Sequence, residues 1–553
     1  MFGFSALLKI FFLLCLCLIL TSANNAPIVS TPLGNVAGST LTSSNGREIF
    51  SFRGIPYAKP PVGNLRFQPP QMIEYSKETI DATREGPSCP QNDWGIESMK
   101  EDCLTLNVFT GNLTSHPEKR SPVLVYFHPG GFYGLSGQTI FSGPQRLLDY
   151  DVVLVTVNYR LASLGFLSTG DAWAPGNNGL KDQVVALKWV KQNIASFGGD
   201  PDKVTIIGYS AGSMSVALHM LSPMSKGLFH RAIAMSAAPT GQWKVPSDLL
   251  NLAKKQAKLV DCPTDTSKKI LECLMTKNAT TISDTYTQFF EFDFDPILIW
   301  KPVVEPDCGQ ERFLADDPAN LIKQGKVANV PLIIGMTEYE FAGPAYTVIR
   351  NETLMNKMNQ EWEKIAPISF LYERDTDKSK KVSKKLKEFY LDSKDLENDE
   401  RSIKGLRELY ADGVIGFGVH RYANLIAEYT DIPVYYYRFS YKGRYSHFYL
   451  SDKNDTLGAV HHDELIYLFN LDRIFPKIEK TDPEYKTILR LTKLWTDFAK
   501  YGNPTPATAQ DDVKWPRFTK SKPHYFDIGS NVTIENCLYC ERFMIWDGLF
   551  PLH

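Results

Sequence analysis

The chain has 553 residues, 43% of them hydrophobic and 22% charged. That is the balance of a globular protein with a sizeable core, and it excludes a disordered chain. Its 60 basic and 62 acidic residues leave a net charge of −2, which gives nucleic acid and anionic membranes no support as partners.

In chain order, the first feature is a short start bearing one charge, Lys9, then an apolar run over residues 10–20, and then Thr21-Ser22-Ala23-Asn24. This layout predicts a signal peptide over 1–23, cleaved after Ala23, and hence a secreted protein. No later stretch reaches the ~18 uninterrupted apolar residues that a span needs, so no integral membrane segment is expected after cleavage. Asn-X-Ser/Thr sequons at Asn112, Asn278, Asn351, Asn454 and Asn531 are candidate glycosylation sites. Seven cysteines follow the signal segment. Cys89 with Cys103 and Cys262 with Cys273 each enclose a short loop, which suits local disulfides in an oxidising compartment. The odd count leaves at least one thiol free. Cys537 and Cys540 have a spacing that can serve metal or redox chemistry, but no second such pair and no helix start are legible beside them.

Buried strands are predicted over 123–127, 152–157, 204–207, 232–235, 330–334 and 434–439, with helices over 178–194 and 213–221 between them. Leu180, Val184, Leu187 and Val190 share one face of the first helix. The charge run over 375–387 reads as a solvated helix and its approach. Apolar strands alternating with helices predict an open α/β architecture, a parallel or mixed sheet covered on both faces. Active sites of such sheets lie beyond the carboxyl ends of the strands.

Three segments at those ends carry chemistry. Gly208-Tyr209-Ser210-Ala211-Gly212 lies between a strand and a helix. In that setting G-x-S-x-G presents Ser210 as a nucleophile on a strained turn. Upstream, the strand over 123–127 ends in His128-Pro129-Gly130-Gly131. Gly130, Gly131 and the amide of Ala211 are candidate oxyanion donors, whereas Pro129 has no N–H to give. A serine hydroxyl needs a base. On this fold the chain order is Ser, acid, His. His461 and His462, in a loop before Asp463-Glu464-Leu465, are equal candidates by spacing. Glu338 and Glu340 both follow the strand over 330–334, and spacing does not separate them as the acid.

The chain resembles the carboxylesterase/cholinesterase family of α/β-hydrolases over nearly its whole length beyond the signal segment. The segments that carry the resemblance are TPLGNVAG (31–38), FRGIPYA (52–58), EDCLTLNV (101–108), NYRL (158–161), GGDP (198–201) and WD (546–547). PVVEPD (302–307) with GQERF (309–313) is similar to insect members, secreted and venom carboxylesterases among them. The resemblance implies a single α/β-hydrolase domain over 24–553, with a large, mostly parallel sheet. It implies hydrolysis of a small-molecule or lipid-like carboxylic ester without metal or cofactor. The family's acid stands five residues after the strand-ending glycine, which from Gly335 is Glu340. Its base lies in G-x-x-H-x-D/E-E/D-L, which from Gly458 is His461. The implied triad is Ser210, Glu340 and His461, and the family's loop disulfides match Cys89–Cys103 and Cys262–Cys273. Two positions depart. The family usually reads H-G-G-G-F where this chain has Pro129. Tyr209 replaces the glutamate of cholinesterases and the glutamine of juvenile hormone esterases, and so disfavours both assignments. The alternative is an inactive, ligand-binding or adhesion member of the same fold. Its usual marks are a broken triad and a membrane anchor.

Overall fold

The computed structural model describes residues 26–92, 98–450, 455–508 and 513–552. The expected signal segment 1–23 and the sequon at Asn454 lie outside these residues. An 11-stranded sheet organises the chain. Its spatial order is Val532–Asn536, His524–Ile528, Val434–Phe439, Leu332–Thr337, Arg231–Met235, Gly199–Tyr209, Ser121–Phe127, Val153–Val157, Thr105–Thr110, Glu48–Pro56 and Ser39–Thr42. Six of its ten pairings are parallel, and the four antiparallel ones lie toward its two edges. A small three-stranded sheet of Ile28–Thr31, Gly34–Ala37 and Ile80–Asp81 sits apart.

The sheet separates two apolar cores, and strand periodicity assigns side chains between them. In Ser121–Phe127, Val123, Val125 and Phe127 enter one core while Leu124 and Tyr126 enter the other. The run is buried on both faces, which is why it reads as continuously apolar. The helix Asn178–Asn193 buries the predicted face and also Lys181, Asp182 and Gln183. Those polar groups are paired: Lys181 Nζ lies 2.6 Å from Glu305, and Arg160 grips Asp182 through several bonds of 2.7–3.2 Å. Among the described residues no helix is long and apolar enough to cross a membrane.

The predicted disulfides Cys89–Cys103 and Cys262–Cys273 are formed. Cys537 pairs with Cys540, which opens the helix Cys540–Leu549. A helix start is therefore present where none was legible. Cys308 is exposed and unpaired. Asn112, Asn278, Asn351 and Asn531 are all exposed.

Candidate active site

Three strands of the sheet deliver Ser210, Glu340 and the Gly130–Gly131 segment at their carboxyl ends, and the loop before the helix Leu465–Leu468 brings in His461. Gly199–Tyr209 runs into Ser210, which has φ 54° and ψ −119° and precedes the helix Ala211–His219. Such a backbone costs on the order of 1–3 kcal/mol and persists only when its surroundings fix it. Here the Ser210 amide donates to Met235 O at 2.8 Å. The flanking glycines are required by closeness. A Cβ on Gly208 would meet the Gly212 carbonyl oxygen at 2.1 Å, and one on Gly212 would meet that of Phe127 at 1.9 Å.

Leu332–Thr337 leads to Glu340, whose side chain is fully buried. Glu340 Oε1 accepts from the Thr337 amide at 2.8 Å, and its Oε2 lies 2.5 Å from His461 Nδ1. The opposite ring nitrogen, Nε2, is 3.0 Å from Ser210 Oγ. A carboxylate only accepts, so Nδ1 carries the proton and Nε2 offers its lone pair to the serine hydroxyl. Phe341 stacks on the His461 ring with centroids 4.3 Å apart. Glu338 points elsewhere: its half-buried carboxyl is raised by burial, with Arg438 lowering it. His462 does not reach the serine. Its amide donates to Tyr209 Oη at 2.9 Å, and burial beside His461 and His447 keeps its imidazole neutral.

Ser121–Phe127, next to the nucleophile strand, ends at the predicted oxyanion segment. Gly130 (φ 110°) and Gly131 (φ 57°) have left-handed backbone. The Gly130 carbonyl accepts from the amides of Tyr133 and Gly134 at 2.8 and 2.9 Å, turning the loop. His128 Nδ1 donates to Pro129 O at 2.7 Å, and its ring stacks on Tyr159. Burial lowers the His128 pKa to about 4, so it is a neutral structural residue. Gly131, Ala211 and Ser210 line one cavity of about 40 Å³. The rest of its wall is apolar and includes Trp243, Ile297, Leu298, Phe341, Val414 and Ile415.

Sequence reasoning missed two groups. Beyond the nucleophile and oxyanion segments, the apolar wall comes from five separate segments with no pattern of their own. Glu464 was seen only as part of a motif. It is fully buried, and burial together with the nearby Glu340 raises its pKa well above the usual carboxylate range. Tyr437 Oη donates to it, 3.1 Å from each oxygen. Both effects favour its protonated form, which would add no second negative charge beside Glu340.

The strand order and the strand-end constellation define an α/β-hydrolase. Among solved structures, the juvenile hormone esterase from Manduca sexta with OTFP covalently attached matches with a TM-score of 0.84. It is 30% identical, and the match covers 95% of this chain and 100% of that one. A model of the Carboxylesterase family matches residues 25–546. Juvenile hormone esterase from Tribolium castaneum is 38% identical over 515 residues, 90% of this chain and 87% of that protein. Esterase FE4 from Myzus persicae is 38% identical over 534 residues, 92% of each. The chain belongs to the carboxylesterase family and is a carboxylic ester hydrolase.

Proposed function

We propose that the protein is a secreted serine carboxylesterase for uncharged, apolar esters, acting through Ser210, His461 and Glu340. One observation carries the reading: His461 bridges Ser210 Oγ at 3.0 Å and Glu340 at 2.5 Å through its two ring nitrogens. His461 Nε2 takes the hydroxyl proton as Ser210 Oγ attacks the ester carbonyl carbon. The amides of Gly130, Gly131 and Ala211 hold the resulting oxyanion. Glu340 stabilises the imidazolium, which then protonates the leaving alcohol. Water, deprotonated by His461, attacks the acyl-enzyme and releases the acid. The ester class follows from the cavity lining, which carries no charged side chain. Secretion is supported by the formed disulfides and by four exposed sequons.

The test is expression in insect cells and purification from the medium, with the mature N-terminus read by sequencing. Short-chain aryl esters should turn over, and an organophosphate should label the protein once, on Ser210. Ser210→Ala should lower kcat by at least about 10⁴-fold with its Tm unchanged. Turnover retained in that variant overturns the assignment. A folded protein with neither turnover nor label points to a ligand-binding role.

A further inference from the structure

The Cys537–Cys540 disulfide has no part in the proposed chemistry, and it is unlike the other two. Cys89, Cys103 and Cys262 are buried, whereas Cys537 is exposed. Those two disulfides join residues 14 and 11 apart, and this one joins residues 3 apart. A cross-link stabilises a fold chiefly through the loop it closes, so the shortest loop contributes least. This loop holds two non-glycine residues of left-handed backbone, Cys537 (φ 62°) and Tyr539 (φ 47°), a conformation that such residues adopt only at a cost. Cys540 is half-buried and opens the helix Cys540–Leu549. A thiolate is favoured at a helix N-terminus, and a favoured thiolate leaves readily. Glu541 and Arg542 follow it with opposite charges, so the helix start decides which sulfur is the better leaving group.

Tyr539, between the two cysteines, connects this loop to the Ser210 cavity. Its hydroxyl donates to the carbonyl of Glu338 at 3.3 Å, two residues before Glu340. Its ring lies against the Arg542 guanidinium, 4.0 Å from centroid to carbon. Arg542 in turn holds Asp412, with Nε 2.7 Å from Oδ2. Asp412 belongs to the turn Ala411–Gly416, whose Val414 and Ile415 line the cavity. We propose that Cys537–Cys540 is an exchange site for low-molecular-weight thiols, and that opening it loosens the Val414–Ile415 wall. The attacking thiolate bonds to Cys537 Sγ, the bond to Cys540 breaks, and its electron pair leaves on Cys540 Sγ. A second thiolate then displaces Cys537 from the mixed disulfide. Two small thiols are thereby oxidised to their disulfide, and their protons pass to the two cysteines, which are reduced. The exchange stands on the loop itself, and its effect on the wall rests on the esterase reading of Ser210.

The experiment titrates the full chain, with Cys308 alkylated beforehand, with reduced glutathione. Samples are quenched in acid, alkylated and mapped by mass spectrometry. Cys537–Cys540 should open at a glutathione concentration at least about tenfold below that which opens either other disulfide, with glutathione trapped on Cys537. Opening only in parallel with the others, or an adduct confined to Cys540, overturns the site. Where this pair alone is open, the ratio of kcat/KM for octanoyl over butyryl aryl esters should rise by about threefold. The double variant Cys537→Ser/Cys540→Ser should show the raised ratio without glutathione and not respond to it. A ratio unchanged in the opened protein and in the double variant overturns the link to the wall. The mass map needs no turnover, so failure of the exchange and failure of the esterase reading are told apart.

Discussion

Tyr209 stands immediately before Ser210, the proposed nucleophile, yet its side chain turns away from the cavity. Strand alternation sends it to the opposite core, with Tyr437 and Trp495. There its hydroxyl accepts the His462 amide proton at 2.9 Å, and its ring lies 5.1 Å from that of His461. His462 has φ 80°, a strained backbone directly after His461, the proposed base. Burial, with Glu340 and Glu464 nearby, holds the phenol pKa well above its usual value, so the hydroxyl stays neutral. Tyr209 is thus a positioning residue for the histidine loop. Its side chain does not line the Ser210 cavity. Tyr209→Phe removes one oxygen and leaves the ring. We expect kcat to fall by about fivefold to tenfold, the worth of one buried hydrogen bond, with KM unchanged. A drop in Tm with kcat intact would reduce Tyr209 to a structural residue.

At the scale of elements, the departure from regularity that matters is a π-helical turn, Ala411–Gly416, between the helices Glu400–Tyr410 and Phe417–Tyr429. Such turns disrupt the regular ladder and recur at functional sites. This one pushes Val414 and Ile415 into the Ser210 cavity. It is clamped from both sides. Asp412 meets Arg542 and accepts from Tyr390 Oη at 2.5 Å. Gln242 Nε2 donates to the carbonyls of Gly413 and Phe370, each at 2.5 Å. None of this was legible in the sequence, because helical periodicity runs through the segment without a break. The strand-end chemistry was legible, since G-x-S-x-G and the glycine pair must occupy fixed places relative to their strands. The choice of Glu340 over Glu338, and of His461 over His462, needed family spacing. Local pattern alone cannot say which side chain crosses to the serine. Ile415→Ala should widen the cavity wall. The ratio of kcat/KM for octanoyl over butyryl aryl esters should then rise by about tenfold. An unchanged ratio would place the acyl chain elsewhere.

Over the whole molecule, the central strands were readable because burial on both faces makes them continuously apolar. The edges were not. Val532–Asn536 is mostly exposed, and Ser39–Thr42 alternates between intermediate and exposed positions. Neither carries the apolar run that marks the middle of the sheet. The same burial that built the interior also fixes how stability responds to acid. His128 and His420 have their pKa lowered to about 4 and His219 to about 3, all chiefly by burial. His219 is held as one neutral tautomer by Ser225 and Gln183, at 2.7 and 2.9 Å. Unfolding releases these rings to their ordinary range, so between about pH 4 and 6.5 the unfolded chain binds more protons and stability falls as pH falls. Asp295 opposes this. Burial raises its pKa to about 6 while Tyr410 Oη donates to it at 2.6 Å, so the folded chain holds its proton between about pH 4 and 6. His462, lowered, and Glu464, raised, act in opposite directions. Three histidines against one aspartate leave about two net protons taken up on unfolding at pH 5, a slope of about 2–3 kcal/mol per pH unit. Urea unfolding with the disulfides intact should therefore give a clearly lower midpoint at pH 5 than at pH 7. His219→Gln, which keeps a neutral hydrogen-bonding side chain, should reduce that slope by about one proton. A midpoint equal or higher at pH 5 would mean that these rings are protonated within the fold.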